Sequence, residues 1–428
     1  MQALLANVYK AWHQRPFSRR LRQWFHLDEW VEDGVVSALL ACLLLTFAFS
    51  LNRWSLSPDI TRQAVEQGFA VCPPYFQQCT SLYVLQGWPD YSYMVFYMAL
   101  FGLWIWAVAC WANRWTLWLF GSLVALYAWE VIYLFLLTFT RHGNYDYYHL
   151  LFGVVALFLP NKRAFSQILF VLLYFFSASV KFHEGWIAGT YFSSLKEGMP
   201  LFSREMIPIM SQGVIILELL CSWLLLSSRS VFRYTALILF TLFHVYSGIL
   251  VGFQYPVTTL PLLWVLFANT YPLQLTPTPK NIAGWMFLML LFALQLVAET
   301  IPGDRKITLE GNELGLYMFD ANHQCVSHEG VANEDGKMKI RHTASTRAWY
   351  RCDPYATWFR LKHHQCPLSQ NNVPWQFDHS INGGPFFRLV DLENVCTTEY
   401  HWLQHQAWIK TPEEGAIPVG RSVQNHYW

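Results

Sequence analysis

The sequence has few charged residues and almost no excess of either sign. Only 13% of its 428 residues are Asp, Glu, Lys or Arg, and the net charge is +1 at pH 7. So small a net charge gives no basic field to hold a polyanion, so nucleic acid is not expected as a partner. The sequence also lacks a P-loop and the Gly-x-Gly-x-x-Gly and Gly-x-Ser-x-Gly motifs, which disfavours nucleotide-driven transport.

The uncharged residues are gathered in long apolar blocks. Hydrophobic residues make up 54% of the sequence and aromatic residues 18%, and the blocks are too long and too little periodic for a soluble core. The first block begins near Gly34 without a small-residue cleavage site after it, so we interpret it as a retained span and not as a signal peptide. The sequence therefore predicts an α-helical polytopic membrane protein with about nine transmembrane helices. The predicted spans are about residues 34–51, 91–112, 115–139, 147–160, 164–182, 212–227, 231–253, 257–270 and 282–299.

Basic residues predict which side of the membrane each connection faces. Residues 1–33 mix arginine with aromatic residues, which is typical of a helix lying in the membrane interface. Further basic residues, among them Arg114 and Lys280, fall on alternate connections. Because cytoplasmic connections carry an excess of lysine and arginine, we expect a cytoplasmic N-terminus and an extracytoplasmic segment after Glu299.

Most of the cysteines fall on the side assigned to the exterior, where disulfides persist. They are Cys72, Cys79, Cys325, Cys352, Cys366 and Cys396. The spacing of Cys72 and Cys79 favours a local bridge, and the remaining four allow three pairings. The alternative is a zinc site that combines histidines near Cys325 and Cys366 with these thiolates. No Cys-x-x-Cys spacing supports that alternative, so no metal is expected.

The sequence changes character at residue 300. Segments 337–341 and 386–390 alternate apolar and polar residues as half-buried strands do, and Asn382-Gly383 is a turn sequence. We therefore predict three parts: a cytoplasmic or interfacial segment over 1–33, a transmembrane domain over 34–299, and a small, mostly β extracytoplasmic domain with disulfides over 300–428.

Titratable side chains interrupt the apolar blocks. Lys181 lies at the outer end of the fifth predicted span, and Glu184 can share a helical face with it. Because a charge in hydrocarbon is costly, Glu130, Glu218 and His244 should each face the interior of the helix bundle. The alternatives are that Lys181 extends to the lipid headgroups and that the other three are hydrogen-bonded packing residues. Together, however, these groups indicate a polar cavity.

The outer segment 141–149, which leads into the fourth predicted span, adds polar groups on the same side as Lys181. It contains Tyr145, Asp146 and His149. An aromatic belt at the membrane interface would explain the tyrosine but not the other two residues. We therefore treat all three as candidates for binding a cofactor.

The sequence resembles the HTTM family of membrane proteins, whose best-known members are the vitamin K-dependent γ-glutamyl carboxylases. The resemblance covers most of the predicted spans, and it rests on the residues Lys181, Trp186, Gly189, Glu218 and His244. In the carboxylases, the lysine that matches Lys181 is taken to deprotonate reduced vitamin K, which reacts with oxygen to form a strong base. That base removes a glutamate γ-proton, and carbon dioxide adds.

The resemblance implies a site and a function. Lys181, His244 and Glu184 are expected to be catalytic, while Trp186 and Glu218 join the three residues before the fourth span in binding a reduced vitamin K-type quinone. The expected function is that of a carboxylase- or epoxidase-like enzyme in the membrane, with membrane lipid around it and a peptide or protein substrate on the outer side. The alternative is a non-enzymatic partner in membrane assembly or in the maturation of secreted peptides.

Overall fold

The structure of the chain is a computed structural model. It describes residues 16–55, 71–79, 90–132, 144–269, 281–303, 305–315, 321–332, 338–345, 352–369 and 372–421. The helices are α1 Pro16–Trp24, α2 Glu29–Glu32, α3 Gly34–Ser55, α4 Asp90–Ala112, α5 Thr116–Glu130, α6 Asn144–Phe158, α7 Lys162–Ser179, α8 Glu184–Ile187, α9 Thr190–Ser193, α10 Ile207–Ile216, α11 Ser222–Leu224, α12 Ser230–Val251, α13 Gln254–Phe267, α14 Ile282–Leu296, α15 Arg305–Thr308 and α16 Pro354–Arg360. The strands are β1 His323–Ala332, β2 Met338–Ser345, β3 Trp375–Ile381, β4 Pro385–Leu392 and β5 Ile417–Arg421.

Four helices in the described part of the chain are long and apolar enough to cross a membrane. They contain the segments Gly34–Leu51, Arg204–Leu224, Ser230–Leu250 and Ile282–Thr300. A helix satisfies its own backbone hydrogen bonds, so a long apolar helix is stable in hydrocarbon. The prediction of a helical membrane protein is thus supported.

The predicted number of nine spans is not supported. Helices α6 and α13 have 15 and 14 residues, fewer than the roughly 20 that a membrane-spanning helix needs. Helix α7 begins with Lys162 and Arg163 and carries Gln167 in its second turn, so its first turns are polar. Part of the predicted span over 115–139 lies outside the described residues.

Helix α3 lies at the centre of the helical domain and packs against α4, α6 and α13. Two tryptophans of α4 tie it in place: Nε1 of Trp104 donates to the carbonyl of Leu44 at 2.8 Å, and Nε1 of Trp111 donates to the carbonyl of Ser37 at 2.9 Å. An indole that finds a carbonyl can sit in an apolar interior without an unpaired N–H. These two tryptophans therefore join α4 to α3 by hydrogen bonds as well as by packing.

The strands form one antiparallel sheet in the order β2-β1-β3-β4-β5. The strands predicted over 337–341 and 386–390 lie in β2 and β4, with residue 337 outside the described part. The turn between β3 and β4 is Asn382-Gly383, and both residues have positive φ, at 50° and 74°. That backbone suits the right-handed twist of a hairpin and explains the Asn-Gly sequence. The prediction of β structure in the C-terminal part of the chain is thus confirmed.

Three disulfides form, and they join the six cysteines predicted to be paired. They are Cys72–Cys79, Cys325–Cys352 and Cys366–Cys396. The local bridge is confirmed, and the structure selects one of the three pairings left open for the C-terminal cysteines. The zinc alternative would need the thiolates of Cys325 and Cys366, and both are used in disulfides.

The C-terminal domain also includes a short segment from far earlier in the chain. Residues 71–79 pack into its core, where the hydroxyl of Tyr355 donates to the carbonyl of Cys72 at 2.8 Å. The side-chain amide of Gln77 donates to the carbonyl of Tyr400 at 3.0 Å. The C-terminal domain therefore includes residues 71–79, although most of its residues follow position 300.

Candidate functional site

Lys181 is buried just beyond the end of α7, with only 1% of its surface exposed. Its Nζ donates to the carbonyl oxygen and the hydroxyl of Ser177, both at 2.9 Å, and to Oε2 of Glu218 at 2.5 Å. Ser177 precedes Lys181 by four residues, the spacing that places two side chains on one helical face. All three protons of the ammonium therefore have an acceptor.

Glu218 reaches Lys181 from a wide π-helical turn, Leu217–Cys221, between α10 and α11. Its side chain is 1% exposed. Single π-helical turns within α-helices are frequent at functional sites, because the extra residue redirects a side chain. The turn packs directly against α7, and this contact brings together two charges that are remote in the sequence.

Trp186 covers Lys181 on another side. The centre of its indole ring lies 5.2 Å from Nζ, within the range of a cation–π interaction. The ring stacks on Tyr191, with 4.8 Å between ring centres, and meets Phe192 edge-on. The short helices α8 and α9 thus place an aromatic cluster over the ammonium.

His244 belongs to a polar layer next to this pair. Its Nε2 is hydrogen bonded to the hydroxyl of Tyr174, and its Nδ1 lies 3.4 Å from Oγ1 of Thr259. Because Thr259 donates its proton to the carbonyl of Tyr255 at 3.0 Å, it can only accept from Nδ1–H. Nε2 therefore carries the lone pair and accepts the proton of Tyr174. Tyr174 lies on α7, seven residues before Lys181.

Two further tyrosines complete the polar layer. The hydroxyls of Tyr148 and Tyr255 are hydrogen bonded to each other. Both of these residues and Tyr174 lie within electrostatic range of the Glu218 carboxylate. The three tyrosines therefore interact electrostatically with the carboxylate of the charged pair.

An apolar groove of about 470 Å³ lies beside the site, between α10 and α12. Its lining residues are Met199, Phe202, Met210, Gly213, Val214, Leu217, Leu242, Phe243, Val245, Tyr246 and Ile249. Two of the lining residues, Leu217 and Phe243, directly precede Glu218 and His244 in the sequence. Both flanking helices belong to membrane-length segments.

A second buried pair lies elsewhere in the helical domain. Nδ1 of His149 is 3.0 Å from both carboxylate oxygens of Glu130, and neither side chain is exposed. Nε2 of His149 lies 3.1 Å from the carbonyl of Leu43 and 3.1 Å from the hydroxyl of Tyr127. A carbonyl only accepts, so Nε2 carries a proton, and one further proton is shared between Nδ1 and the carboxylate.

The prediction that Glu184 shares a helical face with Lys181 was wrong. Helix α7 ends at Ser179, and a new short helix begins at Glu184 with His183 as its N-cap. The two residues therefore do not share a helical face, and the side chain of Glu184 is exposed. The carboxylate that meets Lys181 is that of Glu218, which had been assigned to cofactor binding.

The predicted loop position of Tyr145, Asp146 and His149 was also wrong. Tyr145, Asp146 and His149 do not lie in a loop, because α6 begins at Asn144 and includes them. Asp146 is fully buried with Oδ1 3.5 Å from the hydroxyl of Ser50, His149 pairs with Glu130, and Tyr145 is half-buried. Tyr148 of the same segment interacts electrostatically with Glu218.

Sequence reasoning missed several members of the site. Ser177 and Tyr174 stand one and two turns before Lys181, so helical spacing alone could have found them. No local signal marks Tyr148 or Tyr255, since these two join the layer only through the packing of α6 against α13.

No protein-family model, no curated protein and no solved structure matches this chain.

Proposed function

We propose that the protein is a membrane-embedded enzyme in which Lys181 acts as a base on a lipid-soluble quinol of the vitamin K type. The proposed chemistry is carboxylase- or epoxidase-like, as the resemblance to the HTTM family implies. One observation carries the proposal: a lysine with 1% exposure is held between Ser177 and Glu218, beneath an indole ring and beside an apolar groove. An isolated amine does not occupy such a place without a carboxylate to balance its charge.

The proposed role of the pair as a base depends on proton transfer between Lys181 and Glu218. When a proton moves from Nζ of Lys181 to Oε2 of Glu218, the amine and the acid are both neutral, and the net charge of the pair remains zero. The neutral amine can then accept a proton from a bound hydroxyl at Nζ. The pair gains one positive charge in that step, which balances the anion formed beside it.

The residues around the pair fit a quinol with an apolar tail. When bound, such a group supplies an acidic hydroxyl and, with oxygen, a strong base. The groove between α10 and α12 would hold the tail, because its lining is apolar and it opens between two membrane-length segments. Lys181 and Glu218 would meet the ring, with Trp186 available to orient it, and His244 with Tyr174 would order the neighbouring hydrogen bonds.

The proposal also includes an orientation and a second substrate. The N-terminus is placed in the cytoplasm and the C-terminal domain on the extracytoplasmic side. The three disulfides support this orientation, because they persist in oxidising compartments. A peptide or protein substrate would approach from that side.

A non-enzymatic role is the second candidate, and one observation favours it. Every proton of the Lys181 ammonium already has an acceptor within the protein, as expected of a polar network that fixes the arrangement of helices. In that case, the protein would act as a membrane assembly or peptide-maturation partner.

Oxygen uptake separates the two candidates. The purified full-length chain in lipid nanodiscs would be given a reduced vitamin K-type quinol, and oxygen consumption would be followed with an electrode against empty nanodiscs. The enzyme proposal predicts uptake that is proportional to protein and saturable in quinol. Uptake no greater than that of empty nanodiscs, by protein whose folding is verified, would leave the assembly role.

A further inference from the structure

The C-terminal domain touches the helical domain at the residues that hold Trp186. The contact is made by Asn322, which precedes β1, and by Asn382 in the turn between β3 and β4. The backbone N–H of Asn322 donates to Oδ1 of Asn382 at 3.0 Å, and the backbone N–H of Asn382 donates to the carbonyl of Asn322 at 3.0 Å. The two asparagines therefore form one rigid unit at the edge of the sheet.

Asn322 reaches into the helical domain. It is 1% exposed, and its Nδ2 donates to the carbonyl of Tyr191 and to the hydroxyl of Ser194 at 2.8 Å. Tyr191 is the residue on which Trp186 stacks. The hydroxyl of Ser194 itself donates to the carbonyl of Tyr191 at 2.7 Å, so the buried amide of Asn322 joins both acceptors and links them to the edge of the sheet.

Asn382 meets the same helices from another direction. A Cβ atom at Gly185 would clash with Nδ2 of Asn382, so the amide of Asn382 lies directly against the backbone of α8 at Gly185. Gly185 is followed by Trp186, whose ring covers the Lys181 ammonium. A continuous series of contacts thus connects Asn382 in the hairpin turn to α8, and Trp186 of α8 to Lys181.

We propose that Asn322 and Asn382 are positioning residues through which the C-terminal domain holds Trp186 over Lys181. The site is then complete only when the two domains are docked, and any partner that moves the β3–β4 turn changes the environment of the lysine. This inference rests on the proposed function for its consequence in catalysis, but the geometry that it describes can be tested without turnover.

The test measures how readily Lys181 reacts. Full-length protein in nanodiscs is treated with a lipid-soluble acylating reagent for amines, and modification of Lys181 is quantified by peptide mass spectrometry. Two variants break the contact: Asn322→Ala removes the donor to Tyr191 and Ser194, and Asn382→Gly removes the amide while keeping a residue that accepts the positive φ of the turn. Asn394→Ala is the matched control, since this asparagine also makes two side-chain hydrogen bonds within the same domain: its Oδ1 accepts from the backbone N–H groups of Val373 and Cys396.

The expected result is a rise in Lys181 modification of roughly fivefold in each contact variant, the change expected from loss of one net hydrogen bond, with no rise in Asn394→Ala. Unchanged modification in both contact variants, with thermal unfolding like that of the wild type, would overturn the inference. If quinol turnover is detected, the same variants should lower kcat more than they raise KM, because the base and not the groove is disturbed. If the wild type shows no turnover, the labelling result still decides the positioning role, so failure of the proposed function is recognised separately.

Discussion

Nζ of Lys181 and Oε2 of Glu218 lie 2.5 Å apart in the interior of the helical domain, although 37 positions separate the two residues in the sequence. The side chain of each is 1% exposed. Two opposite charges at this distance offset each other's loss of hydration, and neither charge is tolerable there alone. The proposed chemistry of the domain depends on this pair.

The pair predicts a specific pattern of stability in a double-mutant cycle. Lys181→Met and Glu218→Leu should each destabilise the protein by about 3–5 kcal/mol, because each leaves one buried charge without its partner. The double variant should recover most of that loss, since it leaves no buried charge. The measurement is the unfolding free energy of the four proteins in one detergent. Additive losses would show that the two side chains do not depend on each other.

If the groove binds the tail of the quinol, KM should depend on the length of that tail. Gly213 lines the groove, and an added Cβ there meets no atom within 4 Å, so Gly213→Leu should fill the groove without a clash. For a quinol with a long isoprenoid tail, KM should rise by about tenfold or more, since each apolar CH₂ group buried contributes about 0.8 kcal/mol. A quinol with a short tail should be affected little.

The control for this substitution is Gly121→Leu in α5, where an added Cβ also meets no atom within 4 Å. Both substitutions replace a helical glycine, so both should be neutral or favourable for helix formation. An equal rise of KM in Gly121→Leu and Gly213→Leu would show that the groove does not bind the tail of the quinol.

The fold was predicted from the sequence more fully than the site. The Cys72–Cys79 spacing and the Asn382-Gly383 turn are local signals, and both features occur as expected. The partner of Lys181 was not predictable, because it depends on where α7 ends and on the π-helical turn that directs Glu218 inward. The residue spacing within one helix indicates neither the end of α7 nor the π-helical turn.

His379 predicts the response of the C-terminal domain to acid. Its Nδ1 donates to the carbonyl of Ile307 at 2.9 Å, so its Nε2 accepts from Nδ1–H of His323 at 3.0 Å. Burial lowers the pKa of His379 to about 3 from its ordinary 6.5. The folded state therefore binds fewer protons than the unfolded state between these values. Stability is fully present above pH 6.5 and is lost as pH falls toward 3, by up to about 1.4 kcal/mol per pH unit.

The measurement for this prediction is the unfolding free energy of the wild type and of His379→Gln at about pH 7.5 and about pH 5. The variant should be less stable at the higher pH, because it loses buried hydrogen bonds, and its stability should fall less on acidification. An equal fall in both proteins would assign the acid response to other groups.

The orientation of the chain can be tested across a single helix. Ile282–Thr300 is long and apolar enough to cross a membrane, so reporters inserted after residue 280 and after residue 421 should lie on opposite sides. The proposal places the first in the cytoplasm and the second outside. Reporters on the same side would contradict it, and the exchanged arrangement would reverse the proposed orientation.

The central claim is that Lys181 is a base, and the most direct test is turnover of Lys181→Arg. Arginine keeps the positive charge and can still pair with Glu218, but a guanidinium does not supply a neutral nitrogen at accessible pH. Quinol-dependent oxygen uptake would be measured for the wild type, Lys181→Arg and Lys181→Met, with thermal unfolding followed in parallel. If Lys181 is the base, uptake should fall by about 10²- to 10⁴-fold in Lys181→Arg while the protein remains folded. Wild-type uptake by Lys181→Arg would contradict the assignment of Lys181 as the base.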